Sequence, residues 1–223
     1  MQPTRKEKHF AWGKIITDEG CGIGPRYEHE IVERMPEWVK ADDLCLDIGA
    51  HQGFYAILLA SLVGENGIVH AFEPHPHNFT LLSQNAAYNK CKNINLHNVA
   101  LGNQIGSTIL HEWNGSFASL RSHLGPRRYR SGNDIEITIK KLDDFCFERK
   151  VNFIKMDVEA WETKVFKGGH KLIRKNKPIV LVETHGKANE EYIRQFGIDN
   201  GFKVEDFLIK NRRDVHLLLK PKD

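Results

Sequence analysis

The sequence predicts an α/β domain built on a mostly parallel sheet with helices on both faces. Three observations carry that expectation. Short apolar runs of strand length alternate with helix-spaced segments from Leu44 onward. A glycine-punctuated loop, Asp47 to Gly53, follows the first of those runs. The chain then closes on two strand-like runs separated by a polar turn, which adds an antiparallel strand to the parallel set.

Residues 1 to about 26 are mixed and polar, with Gly20, Gly22 and Gly24 close together, and read as a flexible lead-in; the alternative is a lid over a bound ligand. Glu28 to Lys40 places Ile31, Val32, Met35 and Trp38 at helical spacing, so a first helix is expected and residues 1–40 form an N-terminal unit ahead of a domain over 41–223. Leu44 to Ile48 is a strand ending at Gly49, followed by a helix over Phe54 to Val63. Ile68 to Phe72 is a second strand, Asn78 to Asn89 a helix, and Ile94 to Asn98 a third strand. Phe153 to Val158 and Pro178 to Val182 supply a fourth and fifth strand, with helical sequence around Thr163 to Lys175 between them. After a helix near Glu190 to Asn200, Phe202 to Ile209 and Val215 to Leu219 pair through Lys210 to Asp214. About 103–141 breaks the rhythm. Its strand-like Ser107 to Trp113 and Ile135 to Ile139 flank an arginine-rich loop, as expected of an insertion.

The whole chain of 223 residues, with 40% hydrophobic and 27% charged residues, suits one globular domain. A net charge of +3 is too slight to argue for phosphate tracking, so no stable nucleic-acid complex is expected. The four cysteines, Cys21, Cys45, Cys91 and Cys146, are widely spaced and read as reduced thiols of a cytoplasmic protein. Met1 to Phe10 lacks the apolar stretch of a secretory signal, and Phe54 to Val63 is too short to cross a bilayer, so no membrane insertion is expected.

Open parallel sheets bind ligands beyond the carboxyl ends of their strands. Asp47 to Gly53 lies at such an end, with glycines spaced Gly-x-x-x-Gly, not in the Gly-x-Gly-x-x-Gly pattern that seats a pyrophosphate. A ligand without phosphate, offering an ammonium, a ribose and a sulfonium, suits an acidic first turn better; S-adenosylmethionine (SAM) is that ligand. Glu73, at the end of the second strand, can accept both ribose hydroxyls.

The runs Asp47 to Tyr55, Phe72 to Pro76, Asn98 to Gly102, Ile154 to Glu159 and Lys167 to Gly169 occur in order, and together they resemble the FkbM family of SAM-dependent methyltransferases over about Asp43 to His185. The resemblance implies the class I methyltransferase fold, a Rossmann-like three-layer sandwich with a mostly parallel seven-stranded sheet and one antiparallel C-terminal strand. It implies O-methylation of sugar hydroxyls or of small-molecule scaffolds. It further implies that Asp47, Gly49, Ala50, His51, Gly53 and Phe54 line the methionine and ribose side, that Glu73 and Pro74 hold the ribose, and that Asn98 and Val99 lie beside the adenine. Ala160-Trp161 departs from the family pattern, and Trp161 is placed to wall an acceptor pocket.

A hydroxyl acceptor needs its proton removed, by a positioned base or by a metal that acidifies it. Asp157 and Glu159, at the end of the fourth strand, and Glu183 and His185, at the end of the fifth, are the candidates; Asp157 also reaches the cofactor. Glu162 begins the next helix, where a carboxylate also suits the macrodipole. Asp157, Glu159 and His185 together could bind Mg²⁺ or Mn²⁺, but their spacing is no recognised metal signature and no metal residue is assigned. The loop holding Arg121, His123, Arg127, Arg128, Tyr129 and Arg130 could grip an anionic acceptor. The competing readings are an RNA methyltransferase, whose loop arginines would track phosphate, and an NAD-dependent oxidoreductase, disfavoured by the missing third glycine.

Overall fold

A computed structural model describes residues 5–18, 22–23, 26–113, 117–119, 134–207 and 215–222. Where the sequence suggested a flexible lead-in, the chain forms an antiparallel hairpin, β1 (Arg5–Phe10) and β2 (Gly13–Asp18). After α1 (His29–Trp38), the chain enters the sheet with β3 (Leu44–Ile48), buried at all five positions as a strand covered on both faces must be. The helix α2 (Phe54–Val63) is buried almost all round, which places it between the sheet and the N-terminal hairpin. Then come β4 (Ile68–Phe72), α3 (Pro76–Tyr88) and β5 (Ile94–His97). Pro76 opens α3 in the position where a missing N–H costs nothing, and the His75 ring accepts the Asn78 N–H as its cap.

The insertion builds a second sheet from β6 (Ala100–Leu101), β7 (Gly106–Trp113), β8 (Phe117–Ser119) and β9 (Asp134–Lys140), in the order β6-β9-β7-β8. The arginine-rich loop lies outside the described residues. The main sheet resumes with β10 (Phe153–Met156), followed by α4 (Glu162–Gly168) and α5 (His170–Asn176). The helical segments expected here are two helices that meet at Gly169, whose non-helical φ of −115° and ψ of 13° cap both; Gly168 beside it packs so closely that a Cβ would stand 1.8 Å from the Gly102 carbonyl oxygen. Last come β11 (Ile179–Thr184), α6 (Lys187–Asp199), β12 (Phe202–Phe207) and β13 (Val215–Pro221); the turn between the last two lies outside the described residues.

The main sheet runs β12-β13-β11-β10-β3-β4-β5, parallel except where β13 pairs antiparallel with both neighbours. This is the Rossmann-like class I methyltransferase arrangement, with its antiparallel strand near the C-terminus. Alternation along each strand divides the core. Leu44, Leu46, Ile48, Ile154, Met156, Val180 and Val182 face one side, with Phe166, Ile193 and the inserted sheet's Ile137 and Ile139. Cys45, Phe153, Leu181 and Leu218 face the other, with Ile15, Ile31, Met35 and Leu59. Cys45, Cys91 and Cys146 are free thiols. Among the described residues no helix is long and apolar enough to cross a membrane.

Candidate active site

The strand order reverses between β3 and β10, and a cleft opens at their carboxyl ends. Asp47 and Lys155 are register partners across that seam. Gly49 makes the close approach possible: its φ is +85°, and a Cβ there would stand 1.8 Å from the Asp157 carbonyl oxygen. The backbone continues the pairing past the strand ends, with the Asp157 N–H donating to Ile48 and the Gly49 and Ala50 N–H groups both donating to Phe72.

Two buried carboxyls define one end of the cleft. Glu73 accepts the His51 N–H at 2.8 Å and the His75 N–H at 2.9 Å, so it ties the turn after β3 to the turn after β4. Burial raises its pKa to about 7, against those two backbone bonds. Asp47 is likewise raised to about 7 by burial, opposed by the charge of Lys155, and its Oδ2 has no hydrogen-bond partner. Lys155 is itself fully buried, with Nζ over the Tyr55 ring at 4.9 Å. Burial works against its charge, but Asp157, Glu28, Glu183 and Asp47 together hold its pKa above the ordinary value. Asp47 Oδ2, Lys155 Nζ, Asp157 Oδ1 and Trp161 Nε1 are all buried without hydrogen-bond partners, and all four residues line this cleft. Orphaned polar atoms of both signs along one cleft suit a ligand with an ammonium, a carboxylate and ribose hydroxyls. SAM fits that set.

The other end gathers the acids and histidine of the next two strand ends. The strand does not continue past Met156; Glu159 and Ala160 adopt left-handed φ values of +50° and +71°. That turn brings carboxylate oxygens of Asp157 and Glu159 and a ring nitrogen of His185 within 4.8 Å of one another. His185 Nδ1 lies 2.8 Å from Glu162 Oε1, and its Nε2 faces Glu159 at 3.7 Å and Glu183 at 3.9 Å. Glu183 stands 3.1 Å from the buried His216, its register partner on β13. Burial and the charge of Glu183 push the Asp157 carboxyl well above its usual value. Glu183 goes the other way: burial pushes it up, but His216, Lys155 and His185 hold it well below. His185 is lowered by burial and raised more strongly by Glu162, Asp157 and Glu159, to about 9. Lys155 and His185 supply positive charge against the acids of the cluster.

Of the expected residues, Asp47, Gly49, Ala50, His51, Phe54, Glu73, Pro74, Val99, Asp157 and Glu159 line the cleft, as does Trp161. Gly53 and Asn98 lie behind it. Gly53 has φ +95° and starts α2 against Leu82, while Asn98 Nδ2 donates to the carbonyls of Glu73 and Pro74 and braces that turn. Glu183 and His185 stand behind Asp157 and Glu159. Sequence reasoning passed over Lys155, which sits inside a quoted motif; a lysine at a strand position between two buried neighbours was the signal. It also passed over Tyr27 and Ile23, which line the cleft from the segment after the hairpin.

Residues 47–212 match the family model of the methyltransferase FkbM domain. A curated relative, "Methyltransferase 1" of Beauveria bassiana (strain ARSEF 2860), is 23% identical over 146 residues, covering 57% of this chain and 58% of the relative. The chain therefore spans somewhat over half the length of that relative. Among solved structures, the methyltransferase FkbM of Methylobacillus flagellatus KT superposes with a TM-score of 0.59 at 17% identity, over 80% of this chain and 43% of that one. An rRNA methylase from Streptococcus thermophilus superposes with a TM-score of 0.54 at 12% identity, over 90% of this chain and 100% of that one. Identities this low speak for the fold alone.

Proposed function

This chain belongs to the FkbM methyltransferase family, and on that premise we propose that it is a SAM-dependent O-methyltransferase acting on a hydroxyl of a sugar, glycan or other small scaffold. The observation that carries the reading is the cleft itself, which joins the Asp47–Glu73 end to the Asp157–Glu159–His185 cluster. Bound SAM supplies an electrophilic methyl on a sulfonium. On this reading Asp47 and Glu73 take its ammonium and ribose and Val99 lies beside its adenine; all three line the cleft. The cationic sulfonium suits the acidic end of the cleft, where proximity between methyl and acceptor supplies much of the rate. The acceptor's proton goes to a base at the Asp157, Glu159 and His185 cluster.

The same acids discriminate between acceptors. A phosphate group brought against Glu159 in the cleft, with Glu183 behind it, meets like charge, whereas neutral hydroxyls find acceptors for their hydrogen bonds. Trp161 is part of the cleft wall, with Lys164 Nζ over its ring at 3.5 Å. The acids favour a neutral polyol over RNA, and they also weigh against an anionic acceptor at this end of the cleft.

The test is labelled-methyl transfer from SAM across neutral sugars, nucleotide sugars, lipids and RNA, with and without a chelator. Label is expected on a neutral hydroxyl acceptor, with the rate unchanged by chelation; label on RNA alone would overturn the acceptor. Demethylated SAM (S-adenosylhomocysteine, SAH) is expected to raise the melting temperature where NAD does not. Glu73→Gln should weaken SAH binding roughly 10- to 100-fold, the loss of a charge-assisted bond. A melting shift with NAD alone would remove the methyltransferase reading.

A further inference from the structure

Glu162 is the first residue of α4 and is wholly buried, outside the lining of the cleft. Its Oε1 accepts the Ala160 N–H at 2.9 Å and lies 2.8 Å from His185 Nδ1. The left-handed Glu159–Ala160 turn presents that N–H, so the carboxylate is fixed from its own chain before it meets the histidine. A carboxylate accepts, so Nδ1 donates, and Nε2 is left facing Glu159, which lines the cleft, at 3.7 Å and Glu183 at 3.9 Å, both beyond hydrogen-bond reach. We propose that Glu162 is the positioning residue of a carboxylate–imidazole pair, and that His185 Nε2 receives the proton of the acceptor hydroxyl.

This deepens the O-methyltransferase reading and rests on it. As the hydroxyl oxygen bonds to the methyl carbon, the C–S bond breaks and its electron pair stays on sulfur. The hydroxyl proton passes to Nε2, and the imidazolium so formed is paired by Glu162 from behind. The pair has a buried carboxylate, one fixed tautomer and one free nitrogen, which is what a general base on a hydroxyl requires. The groups facing the ring are Glu162 from α4, Asp157 and Glu159 from the turn after β10, and Glu183 from the end of β11. Behind these, Lys155 faces Asp157 and Glu183, and His216 of β13 faces Glu183. The acids outnumber the cations around the ring, so in the cofactor-free protein the imidazole holds its proton to about pH 9. An arriving sulfonium adds positive charge and lowers that value, readying the base when the methyl donor is in place.

The experiment compares wild type, Glu162→Gln and His185→Gln. In cofactor-free protein with ring-labelled histidine, the His185 titration should fall by about one pH unit or more in Glu162→Gln. SAH affinity should stay within about threefold, because Glu162 lies off the cofactor. With methyl glycosides of neutral hexoses as acceptors, kcat of both variants should fall by roughly 10²-fold, with KM for SAM unchanged. In Glu162→Gln the rising limb of the pH profile should also move to lower pH. A His185 titration that is the same in wild type and Glu162→Gln overturns the pair, as does an unmoved pH limb. If Glu162→Gln does not fold, Glu162→Asp decides: the charge is retained but withdrawn by one methylene, so the raised titration should persist while kcat falls, and an unchanged kcat overturns the proposal. Transfer by the wild type to nitrogen acceptors and never to hydroxyls would overturn the function reading instead, and the titration separates that outcome from failure of the pair.

Discussion

Gly49 joins the two ends of the site more directly than any charged residue does. Its positive φ turns the chain at the end of β3, and its missing Cβ lets the Asp157 carbonyl sit against it. Gly49→Ala therefore meets two penalties at once. A left-handed backbone on a residue with a Cβ costs about 1 kcal/mol, and a Cβ 1.8 Å from a carbonyl oxygen forces the ends of β3 and β10 apart. The expected outcome is a melting temperature lowered by several degrees together with SAH binding weakened at least about tenfold, both read by thermal shift with and without ligand. A variant that loses stability but binds SAH normally would show that the seam is structural only. The same contact fixes Asp157: a residue following a strand that abuts a glycine turn has little freedom to lie elsewhere.

At the scale of elements, the N-terminal hairpin is where sequence and structure part. β1 reads Arg-Lys-Glu-Lys-His-Phe, with no apolar alternation, because it forms an exposed edge. Its partner β2 is held by two asparagines one helical turn apart, Asn85 in α3 and Asn89 at its C-cap. Asn85 Oδ1 accepts the Ile16 N–H at 2.7 Å and its Nδ2 donates to the Ile16 carbonyl at 2.9 Å; Asn89 does the same for Lys14, at 2.8 and 2.6 Å. The helix thus supplies side-chain amides where a third strand would supply backbone. Asn85 also donates to the Gln52 carbonyl, and buried Asp18 meets Gln52 Nε2 at 3.1 Å and His77 Nε2 at 2.7 Å, so the hairpin is tied to the cofactor turn as well. Asn85→Leu is expected to cost about 2–4 kcal/mol in denaturant unfolding, since it strands buried backbone groups on two segments. Asn89→Leu, at an exposed contact, should cost less. None of this was legible: partners some seventy residues apart leave no local pattern, and a charged edge strand looks like a tail. The parallel strands were legible because each is a short apolar run ending at a glycine, proline or acid, as in Leu44 to Gly49 and Ile68 to Pro74. At the site, strand-end acids could be read from position alone. The Glu162–His185 contact could not, because it depends on a left-handed turn at Glu159 and Ala160 that no residue there advertises.

For the whole molecule, the site concentrates buried charge at the carboxyl ends of the central strands of one sheet, and that has a consequence for stability against pH. Asp47 and Glu73 are raised from ordinary carboxyl values to about 7, Asp157 is also raised well above its ordinary value, and His185 is raised from 6.5 to about 9. A raised group binds protons in the folded state that the unfolded chain has already released, so its contribution is complete below the unfolded pKa and is lost as pH climbs to the folded one. Asp47 and Glu73 therefore lose their contribution between about pH 4 and 7, and His185 between about 6.5 and 9. Glu205, lowered to about 2 by Lys203 and Lys220, works the opposite way, but its contribution is complete above pH 4.5, and so is that of Glu183. His97, lowered by burial to about 4, adds stability between about pH 4 and 6.5 and offsets part of the loss from the two carboxyls there. Above pH 6.5 no compensating gain from these groups remains. The cofactor-free protein is thus expected to melt at progressively lower temperature from pH 5 to pH 9, and Asp47→Asn should flatten the part of that slope below pH 7. Saturating SAH should flatten it too, because a ligand that hydrogen-bonds the ionised forms of Asp47 and Glu73 lowers their folded pKa values. The measurement is a melting curve at each half pH unit, with and without SAH. A profile that rises with pH, or one that SAH leaves unaltered, would mean that Asp47 and Glu73 are not the groups that meet the cofactor's polar atoms.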